Sequence, residues 1–111
     1  MDTNDQSYEL AFQVIVHAGE SRTLSYQAMN EAEAYRFEEA HSLLEQANKE
    51  FLECHTIQTD MLTKEANGRK TELNIILIHA QDHLTMATMA MDTAKRWIKL
   101  QKKLKALEEA E

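Results

Sequence analysis

Proline is absent from the chain, glycine occurs only at Gly19 and Gly68, and the sole cysteine is Cys54. Each scarcity closes off a class of answer. With the helix breakers nearly gone, what remains is rich in Ala, Leu, Glu, Gln, Lys and Met, the strong helix formers, and the fold is read as all-α. One cysteine excludes an internal disulfide and any multi-cysteine metal site, and it suggests a reducing compartment. Long apolar runs are missing too: the longest, Ile75 to Ile78, falls far short of the roughly 20 residues a bilayer-crossing helix needs. The start, Met1-Asp2-Thr3-Asn4-Asp5, is polar and acidic, unlike the basic start of a signal peptide. A cytoplasmic protein with no membrane insertion is expected. The 111 residues leave room for one core, so residues 1–111 are expected to form a single domain.

The formal net charge is -7, which disfavours nucleic acid as a partner. One basic stripe runs against that balance, through Lys95, Arg96, Lys99, Lys102, Lys103 and Lys105. It is read as a solvated face with favourable charge near a helix C-terminus, with docking of an acidic partner as the alternative.

Turn chemistry divides the chain into three helices. Asn67-Gly68 is the strongest break. An earlier one is expected between Asn30 and Arg36, with Asn30 as a cap answered by Glu33. The first helix is then expected from Thr3 or Ser7 to Met29, with an apolar stripe through Tyr8, Phe12, Ile15, Val16, Gly19 and Tyr26. Gly19 inside it costs about 1 kcal/mol relative to alanine, which points to another backbone or a ligand pressing close. The second helix carries a seam of Ala40, Leu44, Ala47, Phe51, Cys54 and Met61. An antiparallel three-helix bundle running up, down and up follows.

The third helix is too greasy for a lone bundle. Between Leu73 and Met91 it is apolar nearly all round, with one line through Ile75, Ile78, Asp82 and Met89. Burial against other copies is expected. A cyclic trimer around this helix is attractive, although periodicity alone does not choose three copies over two.

Inside this apolar segment stand His79, Gln81, Asp82 and His83. Buried polar groups cost free energy unless partnered, and four together are harder to satisfy by chance than one. His79 and His83 are one helical turn apart. No glutamate of an HExxH motif stands between them and no third ligand is evident, so a catalytic zinc site is discounted; a di-iron bundle lacks its Glu-x-x-His pairs. Neutral imidazole is a nucleophile near pH 7, and Gln81 can donate hydrogen bonds to phosphoryl oxygens. Asp82, an anion, would converge with its symmetry mates and call for a hard cation such as Mg²⁺. His17, His41 and His55 are read as structural, with His55 lining the same pocket if the second and third helices are neighbours. A helical scaffold whose polar cluster merely satisfies its core, and a metal-binding bundle, are the rivals.

"IHAQDHL" at 78–84, with "VHAGESR" at 16–22 and "AHSLLEQANKEFLECHTIQTDMLTKEANG" at 40–68, resembles the lactose/cellobiose-type IIA components of the bacterial phosphoenolpyruvate-dependent sugar phosphotransferase system. The resemblance implies a trimer of three-helix subunits and a phosphohistidine relay. The phosphorylated histidine falls on His79, reacting through Nε2, and the axial metal-binding aspartate on Asp82, which would share one Mg²⁺ per trimer. Gln81 and His83 match flanking positions. Phosphoryl would arrive from the histidine-containing phosphocarrier protein and leave to a cysteine of the sugar-specific IIB protein. Ala80, where the lactose branch is associated with glycine, favours cellobiose or chitobiose over lactose. Two departures stand out: Thr85 follows Leu84 in place of methionine, and Tyr35-Arg36 replaces the usual Gly-Asp of the first turn. The resemblance gives Gly19 a use, letting the first helix approach the His79 pocket closely.

Overall fold

Stop signals of one kind end both early helices. The computed structural model describes residues 3–70 and 72–110, and these form α1 (Thr3–Glu33), α2 (Phe37–Ala66) and α3 (Ile75–Glu109). At the end of α2, Gly68 takes φ +84, its N–H bonds to the Glu65 carbonyl at 3.0 Å and that of Arg69 to Lys64 at 2.9 Å. This is the Schellman arrangement expected of glycine at that position. The end of α1 repeats it with Tyr35 at φ 62, its N–H on Ala32 and that of Arg36 on Glu31, both at 2.9 Å.

The first turn therefore corrects the sequence reading. Asn30 and Glu33 lie within α1 and form no cap; the break is at 34–36. Arg36 occupies the N-cap position of α2 without a side-chain cap bond, and its guanidinium turns back to Glu31. A tyrosine in the left-handed region is a poor sequence signal, because an L side chain is disfavoured there. The turn is held from outside: the Tyr35 ring stacks on Phe37 with centroids 5.9 Å apart, and Lys102 of α3 lies over the Phe37 ring at 5.7 Å.

Of the stripe expected on α1, Ile15 packs against the core, but most of the rest is turned outward. Tyr8, Phe12, Val16 and Tyr26 are exposed, while Ser7, Ala11, Val14, Ala18, Ser21, Ser25, Ala28 and Ala32 face inward. Small residues let this helix sit close to both neighbours, where Ala40 and Ala47 of α2 and Ala80, Ala87 and Ala94 of α3 answer them. Close approach multiplies dispersion contacts that larger side chains would hold apart. The α2 seam is as expected: Ala40, Ala47 and Cys54 are buried, with Leu44, Phe51 and Met61 packed against the core. Burial pushes the Cys54 thiol up, and its Sγ donates to the Phe51 carbonyl at 3.1 Å.

Leu73 and Asn74 precede α3 instead of belonging to it. The Asn74 side chain accepts from the Leu77 N–H at 2.8 Å and donates to Ser7 Oγ at 3.3 Å, fixing the start of α3 against α1 one turn before His79. Asn74→Ala is expected to cost about 1 kcal/mol of stability in urea unfolding. Asn74→Asp, which keeps the cap but loses the donation to Ser7, should cost less.

Three of the six residues of the basic stripe are engaged within the chain. Arg96 pairs with Asp92 at 3.1 Å, Lys105 with Glu109 at 3.5 Å, and Lys102 approaches His41 Nε2 at 2.9 Å. Among the described residues no helix is long and apolar enough to cross a membrane.

Candidate functional site

Four-residue spacing on α3 brings the two imidazoles together, as helix geometry requires. His79 Nε2 and His83 Nε2 are 3.0 Å apart, with the rings edge to face at 87° and centroids 4.5 Å apart. One proton serves such a contact, so one ring donates and the other accepts. His79 is exposed and His83 half-buried. When His83 donates, His79 carries its own proton on Nδ1 and keeps a lone pair on Nε2, the tautomer a nucleophile at that atom needs.

The surroundings keep His83 neutral. Its pKa lies below the ordinary imidazole value, first because burial disfavours the cation, then because His79 and Arg22 oppose a further positive charge; Asp82 works weakly the other way. Protons therefore bind the unfolded chain more readily. Stability from this source is complete above about pH 6.5, the free imidazole value, and is lost as pH falls below it. The His83 ring is expected to titrate below about 6.5 in an NMR pH series. A midpoint at or above that value would mean that the ring is not held in the partly buried position beside His79 and Arg22.

Arg22 escaped the sequence reading. It lies on α1, far from the cluster in the chain, and only helix packing brings its charge to His83; the VHAGESR segment at 16–22 contained it, without a role. Gln81 is the converse case. Two positions along a helix turn a side chain about 160° away from its neighbour, and Gln81 faces the α2 side. There it lines a cavity of about 220 Å³ with Gln58, Leu62 and Leu77, and the buried Gln58 Oε1 has no partner. The spacing from His79 already carried that signal.

Asp82 is exposed on the outer line of α3, between Ile78 at 55% and Met89 at 65% exposure. Among the described residues no three His, Cys, Asp or Glu side chains gather for a metal. A single carboxylate per chain suits a hard cation only where copies converge. His55 does not join the pocket: it stacks on Phe51 at 5.5 Å and lines a groove with Leu10 and Asp60. His17 instead bonds Glu50 across to α2, Nδ1 to Oε2 at 2.7 Å. Gly19 corrects another expectation. A Cβ built there meets nothing within 4 Å, so no part of this chain presses on it.

The lactose/cellobiose-specific IIA subunit family of the phosphotransferase system matches residues 9–102. The cellobiose-specific EIIA component of Lactococcus lactis is 37% identical over 106 residues, 96% of this chain and 91% of its own. The crystal structure of the cellobiose-specific enzyme IIA from Bacillus anthracis matches with a TM-score of 0.88 and 36% identity, over 96% of this chain and 94% of that one. The IIA(chitobiose) of Escherichia coli, solved in complex with HPr, matches with a TM-score of 0.76 and 28% identity, over 95% and 98% of the two chains. The chain belongs to the lactose/cellobiose-specific IIA family, whose members are phosphotransfer components of the sugar phosphotransferase system.

Proposed function

We propose that this chain carries phosphoryl on His79 Nε2, taking it from the histidine-containing phosphocarrier protein and giving it to a cysteine of a IIB protein. The observation that carries the reading is the exposed His79 with its Nε2 set against His83 Nε2 at 3.0 Å, in a chain of this family. On arrival, the donor's N–P bond breaks as the His79 Nε2–P bond forms, and the electron pair returns to the donor imidazole. His83 then turns its N–H from His79 to a phosphoryl oxygen. On departure, the bond breaks again, toward a cysteine thiolate, and the His79 lone pair is restored. The relay serves import of a β-glucoside-type disaccharide, cellobiose or chitobiose ahead of lactose. Support for the sugar is the relatives' named substrates together with Ala80.

Three copies assemble about α3 in this reading. Ile75, Ile78, Met89, Leu100, Leu104 and Leu107 are exposed along it, and Ile78, Met89 and Leu100 recur every 11 residues. That period lets helices of separate copies run side by side with a right-handed supercoil. Asp82 of each copy meets the others on the axis, where Mg²⁺ offsets their repulsion. His79 and Gln81 flank the seam on opposite sides, so the Gln81 amide serves the His79 of the adjoining copy. The test is to mix the purified chain with phosphoenolpyruvate, enzyme I and the phosphocarrier protein, and to look by intact mass for one acid-labile phosphoryl group. An unlabelled chain would return the scaffold reading.

A further inference from the structure

The cavity between α2 and α3 holds a buried carbonyl with nothing to accept. The two helices run antiparallel: Phe37 lies against Lys102 at one end, and Met61 and Leu77 share a core cluster at the other. One turn back along α2 from Met61 stands Gln58, and one turn on along α3 from Leu77 stands Gln81. The two amides therefore come to one height, and both line the cavity of about 220 Å³. Gln58 Oε1 is buried in its wall without a hydrogen-bond partner among the described residues. Such an orphaned acceptor costs free energy, and native proteins rarely leave one so. The side chains around it narrow the choice of donor. Met61, Leu62, Leu73, Leu77 and Ile78 are apolar and Glu65 accepts instead of donating, so Gln81 is the one lining side chain able to give Gln58 an N–H.

We propose that Gln58 is a positioning residue for phosphoryl transfer: its Oε1 takes one N–H of the Gln81 amide, and the other N–H is left pointing out of the cavity toward the phosphoryl group on the adjoining copy. This rests on His79 being the acceptor and on Gln81 serving it. A primary amide has two donors, enough for both bonds. The cavity leaves room for the Gln81 side chain to turn onto Gln58. A free glutamine side chain samples many rotamers, and fixing one of them opposes transfer. A partner that holds the amide beforehand removes that penalty before the phosphoryl group arrives. Gln58 itself touches neither the phosphoryl group nor the imidazole, so it acts only through Gln81.

The experiment compares Gln58→Met, Gln81→Met and the double variant in the full chain. Methionine is close to glutamine in helix preference and suits an apolar cavity, so Gln58→Met should match or exceed wild type in urea unfolding. Two readouts are taken. In proton–nitrogen correlation spectra the side-chain amide pair of Gln81, identified by its absence from Gln81→Met, is expected away from the free-glutamine position in wild type and at that position in Gln58→Met. In rapid-quench labelling by the phosphorylated phosphocarrier protein, Gln81→Met is expected to slow transfer at saturating donor by about a hundredfold and Gln58→Met by about tenfold. The half-saturating donor concentration should stay unchanged. The double variant should match Gln81→Met within about twofold, because Gln58 then has nothing to hold. Gln81 amide signals unmoved by Gln58→Met would overturn the proposal. So would a further loss of about tenfold in the double variant, which would mean that Gln58 acts by another route. A wild-type rate in Gln81→Met would overturn the phosphoryl role of Gln81 and the proposal with it. A wild type unlabelled at His79 would instead take away the acceptor, and the amide signals, which need no transfer, would still tell whether the bond forms.

Discussion

His79→Ala is expected to abolish the acid-labile phosphoryl group, lowering labelling by the complete donor system by at least about a thousandfold. The reasoning is local. Only His79 in the cluster is exposed with its Nε2 turned to a second imidazole, and His83 is half-buried under the charge of Arg22. Removing His79 frees the His83 nitrogen without placing it where the donor arrives, so substitution by the neighbour is not expected. Helix content should hardly change, because an exposed side chain is lost and alanine is the stronger helix former. His83→Ala supplies the contrast. It leaves the nucleophile and removes the N–H that would stabilise the transferred group, so labelling should persist but slow by about a hundredfold. Both variants are read by intact mass before and after mild acid. Persistent full labelling of His79→Ala would move the acceptor to another residue.

Contiguity decided what could be read from the chain before its fold was known. The cluster at 79–83 lies within one and a half turns of α3, so its pairing follows from helix period alone. The Asn67-Gly68 stop and the α2 seam are equally local, and the family resemblance rests on such contiguous segments. What escaped depends on contacts across helices or on a residue acting against its type. Tyr35 ends α1 in a conformation that its side chain disfavours, stabilised by Phe37 and Lys102 from elsewhere. On α1 side-chain size misleads, because large apolar residues suggest the inward face, whereas alanine and serine occupy most of it and allow the helices to close up. In a bundle packed that tightly, bulky side chains are displaced outward, where they become available to other proteins. That inversion is why the apolar surface of this small chain is so extensive. Gln81 was legible in principle, since two positions on a helix never share a face.

Met89→Glu is expected to split the trimer proposed above into single chains of 12.8 kDa, read by native mass spectrometry or light scattering. Met89 stands 65% exposed between Ile78 and Leu100 on the line that also holds Asp82. In the proposed trimer three further carboxylates, about two helical turns from Asp82, would meet across the axis, and like charges brought together cost several kcal/mol. Helix content should survive, because Met89 is not part of the core. Phosphoryl uptake should not survive intact: separated chains lose the neighbour's Gln81 while keeping their own His79 and His83, so labelling should slow without changing residue. In the proposed trimer the Asp82 side chains would hold Mg²⁺ between them, and a chelator should then weaken the assembly by the same electrostatic route. Met89→Glu running at the wild-type mass would place the seam on another face and leave Gln81 with no acceptor to serve.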